Sequence, residues 1–177
     1  MANETKIAIL AGSDSDCPHL EGAVEFLEAM DIDYELHVMS AHRSPEKVSE
    51  FAEKAEERGL KVILAAAGGA AHLAGVVAAH TRLPVIGIPI STDRMGGMDS
   101  LFSTVQMPGG VPVVSVGLGS SGGENAAVFA ARILALQDED LRDRLEEFYE
   151  NMTEEVEQKN RRAQEWLKEQ KRQAADD

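Results

Sequence analysis

Four short stretches place proton-exchanging or anion-holding groups where an apolar run gives way to a helical pattern. In Ser40-Ala41-His42-Arg43-Ser44-Pro45 a histidine stands beside a fixed positive charge. Imidazole both gives and takes a proton near neutral pH, and a guanidinium can clamp a phosphate with two hydrogen bonds. The turn Gly12-Ser13-Asp14-Ser15-Asp16 offers hydroxyls and helix-start amides to a phosphate, and a carboxylate to ribose hydroxyls. The same five residues also make an ordinary helix cap whose charges favour the helix dipole, and both readings stay open. Gly68-Gly69-Ala70-Ala71-His72 has little side chain in the way, so its amides can cradle a small anion. Taken alone, it reads as close packing of a helix on a sheet, with His72 a core histidine. Gly117-Leu118-Gly119-Ser120-Ser121-Gly122 matches G-x-G-x-x-G. It does not follow the first strand and has no acidic residue ending a next strand, so no dinucleotide is expected there.

Strand ends must position these groups. Lys6–Ala11, Tyr34–Met39, Lys61–Ala67, Pro84–Pro89 and Pro112–Val116 read as strands. Between them Leu20, Val24, Leu27 with Ala23, Phe26, Met30 recur at helical spacing. Ser44-Pro45 opens a helix, with Ser44 as N-cap hydroxyl, that ends at Arg58-Gly59. Further helices are expected at Ala70–His80, Asp99–Met107 and Glu124–Leu136. Alternation of this kind gives a parallel sheet covered on both faces. Right-handed crossovers put every strand-to-helix turn at one edge, so the turns at 12–16, 40–44, 67–72 and 117–123 should cluster. If the first two strands are neighbours, Arg43 comes near Ser13.

With 177 residues and 44% hydrophobic composition, one globular domain over 1–177 is expected, with a core at 6–136 and a helical tail at 138–177. A net charge of −14 argues against nucleic acid or an anionic membrane as partner, though not against a small phosphorylated molecule. Val62–Ala79 has no acidic or basic side chain apart from His72, but Gly68-Gly69 in its middle favours strand, turn and helix over a membrane span. Met1–Lys6 lacks the layout of a signal peptide and Cys17 is the single cysteine, expected as a small buried thiol, so a reducing cytoplasm is expected. There is no ATP-binding glycine loop, no serine elbow and no Cys/His cluster at metal spacing. His19, His37 and His80 carry no motif and read as structural. Between Gly68 and Leu136 only six residues are charged, and so uncharged a third of the chain predicts a subunit interface. In the acidic tail, Leu141, Leu145, Phe148, Met152 and Val156 form one narrow helical stripe that needs a partner surface.

In order, Gly12–Asp16, Ser40–Pro45, Ala67–Leu73, Asp99-Ser100-Leu101 with Val105-Gln106-Met107-Pro108, and Asn125-Ala126-Ala127 resemble the PurE family of purine biosynthesis over residues 6 to 136. The resemblance implies a flavodoxin-like three-layer α/β/α fold with a long C-terminal helix. It also implies a homo-octamer with sites at subunit interfaces. It further implies a small-molecule ribonucleotide as substrate and carboxyl movement without ATP, biotin or metal, hence no cofactor. Ser13 and Arg43 would hold the phosphate and Asp16 the ribose, with Ser40 assisting. His42 would be the general acid/base, and Gly68, Gly69, Ala70, His72 and Leu73 would line the place where CO2 is held. The Gly-Gly-Ala-Ala-His segment is similar to the mutase branch, which converts 5-(carboxyamino)imidazole ribonucleotide to 4-carboxy-5-aminoimidazole ribonucleotide. The runner-up is direct carboxylation of aminoimidazole ribonucleotide by CO2, and the different-class alternative is a non-catalytic nucleotide- or flavin-binding module. Against flavin stands the scarcity of aromatic residues, 5% of the chain. Ala74 and Cys17 depart from the family pattern, where a proline and a tryptophan are usual.

Overall fold

The computed structural model describes residues 5–93 and 95–176. Most of the N-terminal reading over Met1–Lys6, together with Arg94 and Asp177, lies outside these. Five parallel strands, β1 (Ile7–Ala11), β2 (Tyr34–Val38), β3 (Val62–Gly68), β4 (Val85–Ile90) and β5 (Val114–Ser115), form one sheet in the order β2-β1-β3-β4-β5. This is the flavodoxin-like order. The helices are α1 (Glu21–Ala29), α2 (Pro45–Lys54), α3 (Leu73–His80), α4 (Met98–Val105), α5 (Ser121–Leu134) and α6 (Glu139–Asp176). No helix among the described residues is long and apolar enough to cross a membrane.

The alternation of strand side chains divides the core in two. Ile7, Ile9, Leu64, Ile86 and Ile88 face α1, α5 and the start of α6, while Ala8, Leu10, Ile63, Ala65 and Val85 face α2 and α3. Both faces are covered, so β1 is buried at every position and reads as a continuous apolar run. On the α2–α3 face, α4 lies tight on β4 because residue 87 has no side chain: a Cβ there would collide with Thr104 Cγ2 and press on Val113 and Ala74. The two buried hydroxyls of α4 are satisfied locally. Ser100 Oγ donates to the Ile90 carbonyl at 2.8 Å and Thr104 Oγ1 to the Ser100 carbonyl at 2.8 Å.

Several element boundaries differ from those expected. Helix α3 begins at Leu73 rather than Ala70, because Ala71 N and His72 N close tight turns onto Gly69 O and Ala70 O first. Helix α5 begins at Ser121, three residues early. Strand β5 has shrunk to two residues. A 3-10 stretch over Asp14–Leu20 precedes α1 and accommodates Pro18. Helix α2 stops at Lys54, and the chain turns through to Gly59, whose φ of 91° is one a β-carbon disfavours. Cys17 is partly exposed rather than buried.

The tail stripe divides as well. Leu141 and Leu145 are buried against α1 and α5, and the Phe148 ring meets Phe26 edge-on with centroids 5.2 Å apart. Met152 and Val156 are exposed.

Candidate functional site

The parallel register sets the site. Ala11 stands beside Val38 and Ala66, and Gly68 beside Ile90, so β2, β1, β3 and β4 release the chain side by side at their C-terminal ends. Between the turns that follow lies an open cavity of about 600 Å³, large enough for a nucleotide-sized ligand. All ten residues named above as site candidates line it: Ser13, Asp16, Ser40, His42, Arg43, Gly68, Gly69, Ala70, His72 and Leu73.

The β1 turn is a helix cap and a cavity wall at once, so its two readings do not compete. Ser13 N donates to Asp16 Oδ2 at 3.1 Å, and Ser13 Oγ accepts from Ser15 N at 3.4 Å, a reciprocal cap. Only 9% of Asp16 is exposed. Burial pushes its carboxyl above the ordinary value of 3.8, against the pull of the Ser13 amide and the nearby His19.

The β2 turn is fixed differently from the expected N-cap. Ser44 makes no side-chain cap bond to α2. Its hydroxyl instead accepts from Ser40 N at 3.0 Å and donates to the Ser40 carbonyl at 3.1 Å. Ser40 Oγ accepts from Arg43 N at 3.3 Å. These bonds tie both ends of the Ser40–Ser44 turn and leave the His42 and Arg43 side chains exposed toward the cavity. Proline at the first position of α2 is as expected.

His72 is exposed rather than a core histidine. Its Nδ1 lies 2.6 Å from His42 Nε2, with the two rings edge-on and centroids 4.8 Å apart. A nitrogen–nitrogen hydrogen bond needs one donor and one acceptor, so each imidazole sets the tautomer of the other. The residues are thirty apart in sequence, and only the meeting of the β2 and β3 turns across β1 joins them.

Gly68 sits in close approach, since a Cβ there would lie 3.0 Å from Thr92 Cγ2, which would have to give way. Thr92, just after β4, also lines the cavity and was not anticipated. Its only sequence signal is its place two residues beyond a strand end that faces the glycine turn.

The fourth turn does not line this cavity. Gly122, the last glycine of the pattern, and Gly123 beside it serve packing: a Cβ on Gly122 would lie 2.6 Å from the Gly117 carbonyl, and one on Gly123 2.8 Å from the His19 carbonyl. They let α5 close on its own loop and on the 3-10 stretch, whereas a Cβ on Gly117 or Gly119 would meet nothing within 4 Å, and Gly119 takes a φ of 102° that a β-carbon disfavours. His37 and His80 lie near carboxylates on the periphery, His37 3.4 Å from Glu35 and His80 3.0 Å from Glu53.

Sheet order and cavity together define a flavodoxin-like α/β protein with a paired-histidine cleft at the carboxyl ends of its strands. The family model for AIR carboxylase matches residues 6–155, and the chain belongs to that family, the PurE family. Curated relatives include the N5-carboxyaminoimidazole ribonucleotide mutases of Thermotoga maritima, 49% identical over 89% of this chain and 91% of theirs, and of Bacillus subtilis, 51% identical over 82% and 90%. The crystal structure of Treponema denticola PurE superposes with a TM-score of 0.77 at 28% identity, covering 86% of this chain and 94% of that one.

Proposed function

We propose that the protein is a 5-(carboxyamino)imidazole ribonucleotide mutase of purine biosynthesis, with His42 as its general acid and base. The relatives named above support the activity, and the observation that carries the residue assignment is the His42–His72 contact inside the cavity. Arg43 makes no side-chain hydrogen bond or ion pair with a described residue, so its guanidinium is available to a phosphate beside Ser13. Asp16 is placed to receive ribose hydroxyls and Ser40 holds the turn. The span from β2 to β4 crosses three strand spacings, about 14 Å, which suits a ribonucleotide lying along the edge with phosphate over β1–β2 and carboxyl over β3–β4.

The chemistry follows from that orientation. His42 delivers a proton to the carbamate nitrogen; the bond from nitrogen to the carboxyl carbon breaks, releasing CO2 and aminoimidazole ribonucleotide. The ring carbon of this enamine-like nucleophile attacks CO2 held against Gly68–His72, forming a carbon–carbon bond and a non-aromatic adduct. His42, now the base, removes the ring proton and restores aromaticity. No net proton is consumed, and confinement of CO2 supplies the effective concentration. His72, bonded to His42, keeps the imidazole in one tautomer between the two transfers.

The whole chain acts as one domain in the cytoplasm, assembled as an octamer with sites at subunit interfaces. In support, α4 and its flanks expose Met95 (73%), Phe102 (52%), Met98, Val105 and Val114. Asp99 Oδ1 is buried there without a hydrogen-bond partner among the described residues. Both features call for a second surface. The experiment that tests the assignment is His42→Asn: turnover should vanish while ribonucleotide affinity stays near wild type. Equal loss of binding would make His42 a binding residue and overturn its catalytic role.

A further inference from the structure

The second half of α6 stands clear of the body, every residue from Asn151 to Ala174 being exposed, a rod of about 36 Å at 1.5 Å per residue. Most of it, from Val156 onward, lies beyond the family match. Its apolar residues nevertheless continue the stripe that packs the first half. At 100° per residue, Leu141, Leu145, Phe148, Met152, Val156, Ala163, Trp166 and Leu167 all fall in one band about 100° wide. Leu141 and Leu145 are covered by α1 and α5, whereas Val156 is 63% exposed and Trp166 61%.

The charges along the helix are sorted. Residues 139–157 contain nine acidic and two basic side chains, and residues 158–174 contain six basic and two acidic. Side by side in parallel, two such helices would set acid on acid and base on base. Reversed, each half meets its complement. We infer that the projecting half of α6 pairs antiparallel with α6 of a second copy of this chain, about a two-fold axis at Lys159–Asn160. That axis sets Met152 of one helix opposite Trp166 and Leu167 of the other, and Val156 opposite Ala163, so the apolar bands meet along their length. Lys159, the one charged residue inside the band, falls at the axis, its ammonium 3.6 Å from Glu155 of its own helix. The partner is a second copy because the acidic half that the basic half requires is present on the same helix, contiguous with it and carrying the same stripe. The inference does not depend on the catalytic reading.

The test uses full-length chains with Cys17 replaced by serine. Asn160→Cys should form a disulfide-linked dimer on mild oxidation. Met152→Cys and Leu167→Cys, co-expressed, should link to each other several-fold more than either links to itself. Linking should fall at about 1 M salt, where charges are screened beyond ~3 Å. Self-linking of Met152→Cys and of Leu167→Cys in preference to the mixed product would mean parallel pairing and overturn the inference. Absence of links at all three positions would place the tail on the body of a neighbour or on nothing, and would also overturn it. Enzyme activity is not read in this experiment, so its failure is separate from failure of the proposed reaction.

Discussion

Arg43 and Asp16 lie on the same cavity, and substituting them should show in different measurements. A charge-assisted hydrogen bond contributes about 1.5–3 kcal/mol, so Arg43→Ala should weaken ribonucleotide binding by about 10- to 100-fold, as read by titration calorimetry; unchanged affinity would remove Arg43 from the phosphate site. For Asp16 the buried carboxylate is a cost to the fold. Its folded-state pKa lies above the ordinary 3.8, so the folded chain holds a proton that the unfolded chain has lost, and stability falls as pH rises from about 3.8 through the folded value. Asp16→Asn keeps an acceptor for Ser13 N and removes the charge. It should therefore raise Tm at pH 7, with the gain fading as pH is lowered toward 3.8, while impairing substrate binding. A lowered Tm at pH 7 would contradict this. Residue identity alone leaves Ser40–Pro45 readable as a surface turn with two polar residues, and His42 and Arg43 gain weight only from the neighbouring strand-end turns and the family resemblance. It could not give the exposure of His72 or its contact with His42. Both depend on how far the β3 turn runs before α3 begins, which is set by the two tight turns at Gly69–His72.

At the level of elements, strand order explains why three loops distant in sequence make one cavity and why a fourth does not. β1 lies between β2 and β3, so turns 12–16, 40–44 and 67–72 open onto one another. The Gly117–Gly122 turn follows β5 at the far edge, where Gly122 allows the close approach of α5 to its own loop. The apolar runs of β1, β3 and β4 were legible from sequence because strands covered on both faces need them. The shortness of β5 was not, since Pro112–Val116 has a strand's composition while its pairing ends after Val114 and Ser115. Thr92 was hidden for a related reason: its place in the cavity comes from β4 pairing with β3, not from any pattern around it. Packing of α4 on β4 through residue 87 makes a sharp prediction. Gly87→Val should cost about 1–3 kcal/mol by forcing Thr104 and α4 outward. That is a fall of about 2–4 °C in Tm per kcal/mol, read by thermal denaturation, and an unchanged Tm would contradict the packing described.

For the whole molecule, the uncharged middle of the sequence and the exposed apolar surface of α4 are the same fact seen twice. The missing charges between Gly68 and Leu136 were visible in the composition, whereas which side chains stay uncovered was not, because that depends on α4 lying across β4 and β5. If the proposed octamer forms through α4, Phe102→Asp should give smaller species than the unsubstituted protein by light scattering, and lower activity with it if sites are completed by neighbours; an unchanged particle size would move the proposed interface elsewhere. The proposed reaction moves a carboxyl group already carried by the substrate from nitrogen to carbon. It is tested by giving the purified protein either 5-(carboxyamino)imidazole ribonucleotide or aminoimidazole ribonucleotide with bicarbonate, and following 4-carboxy-5-aminoimidazole ribonucleotide. Efficient turnover of the first at low bicarbonate is the predicted result, and turnover of the second alone would contradict it.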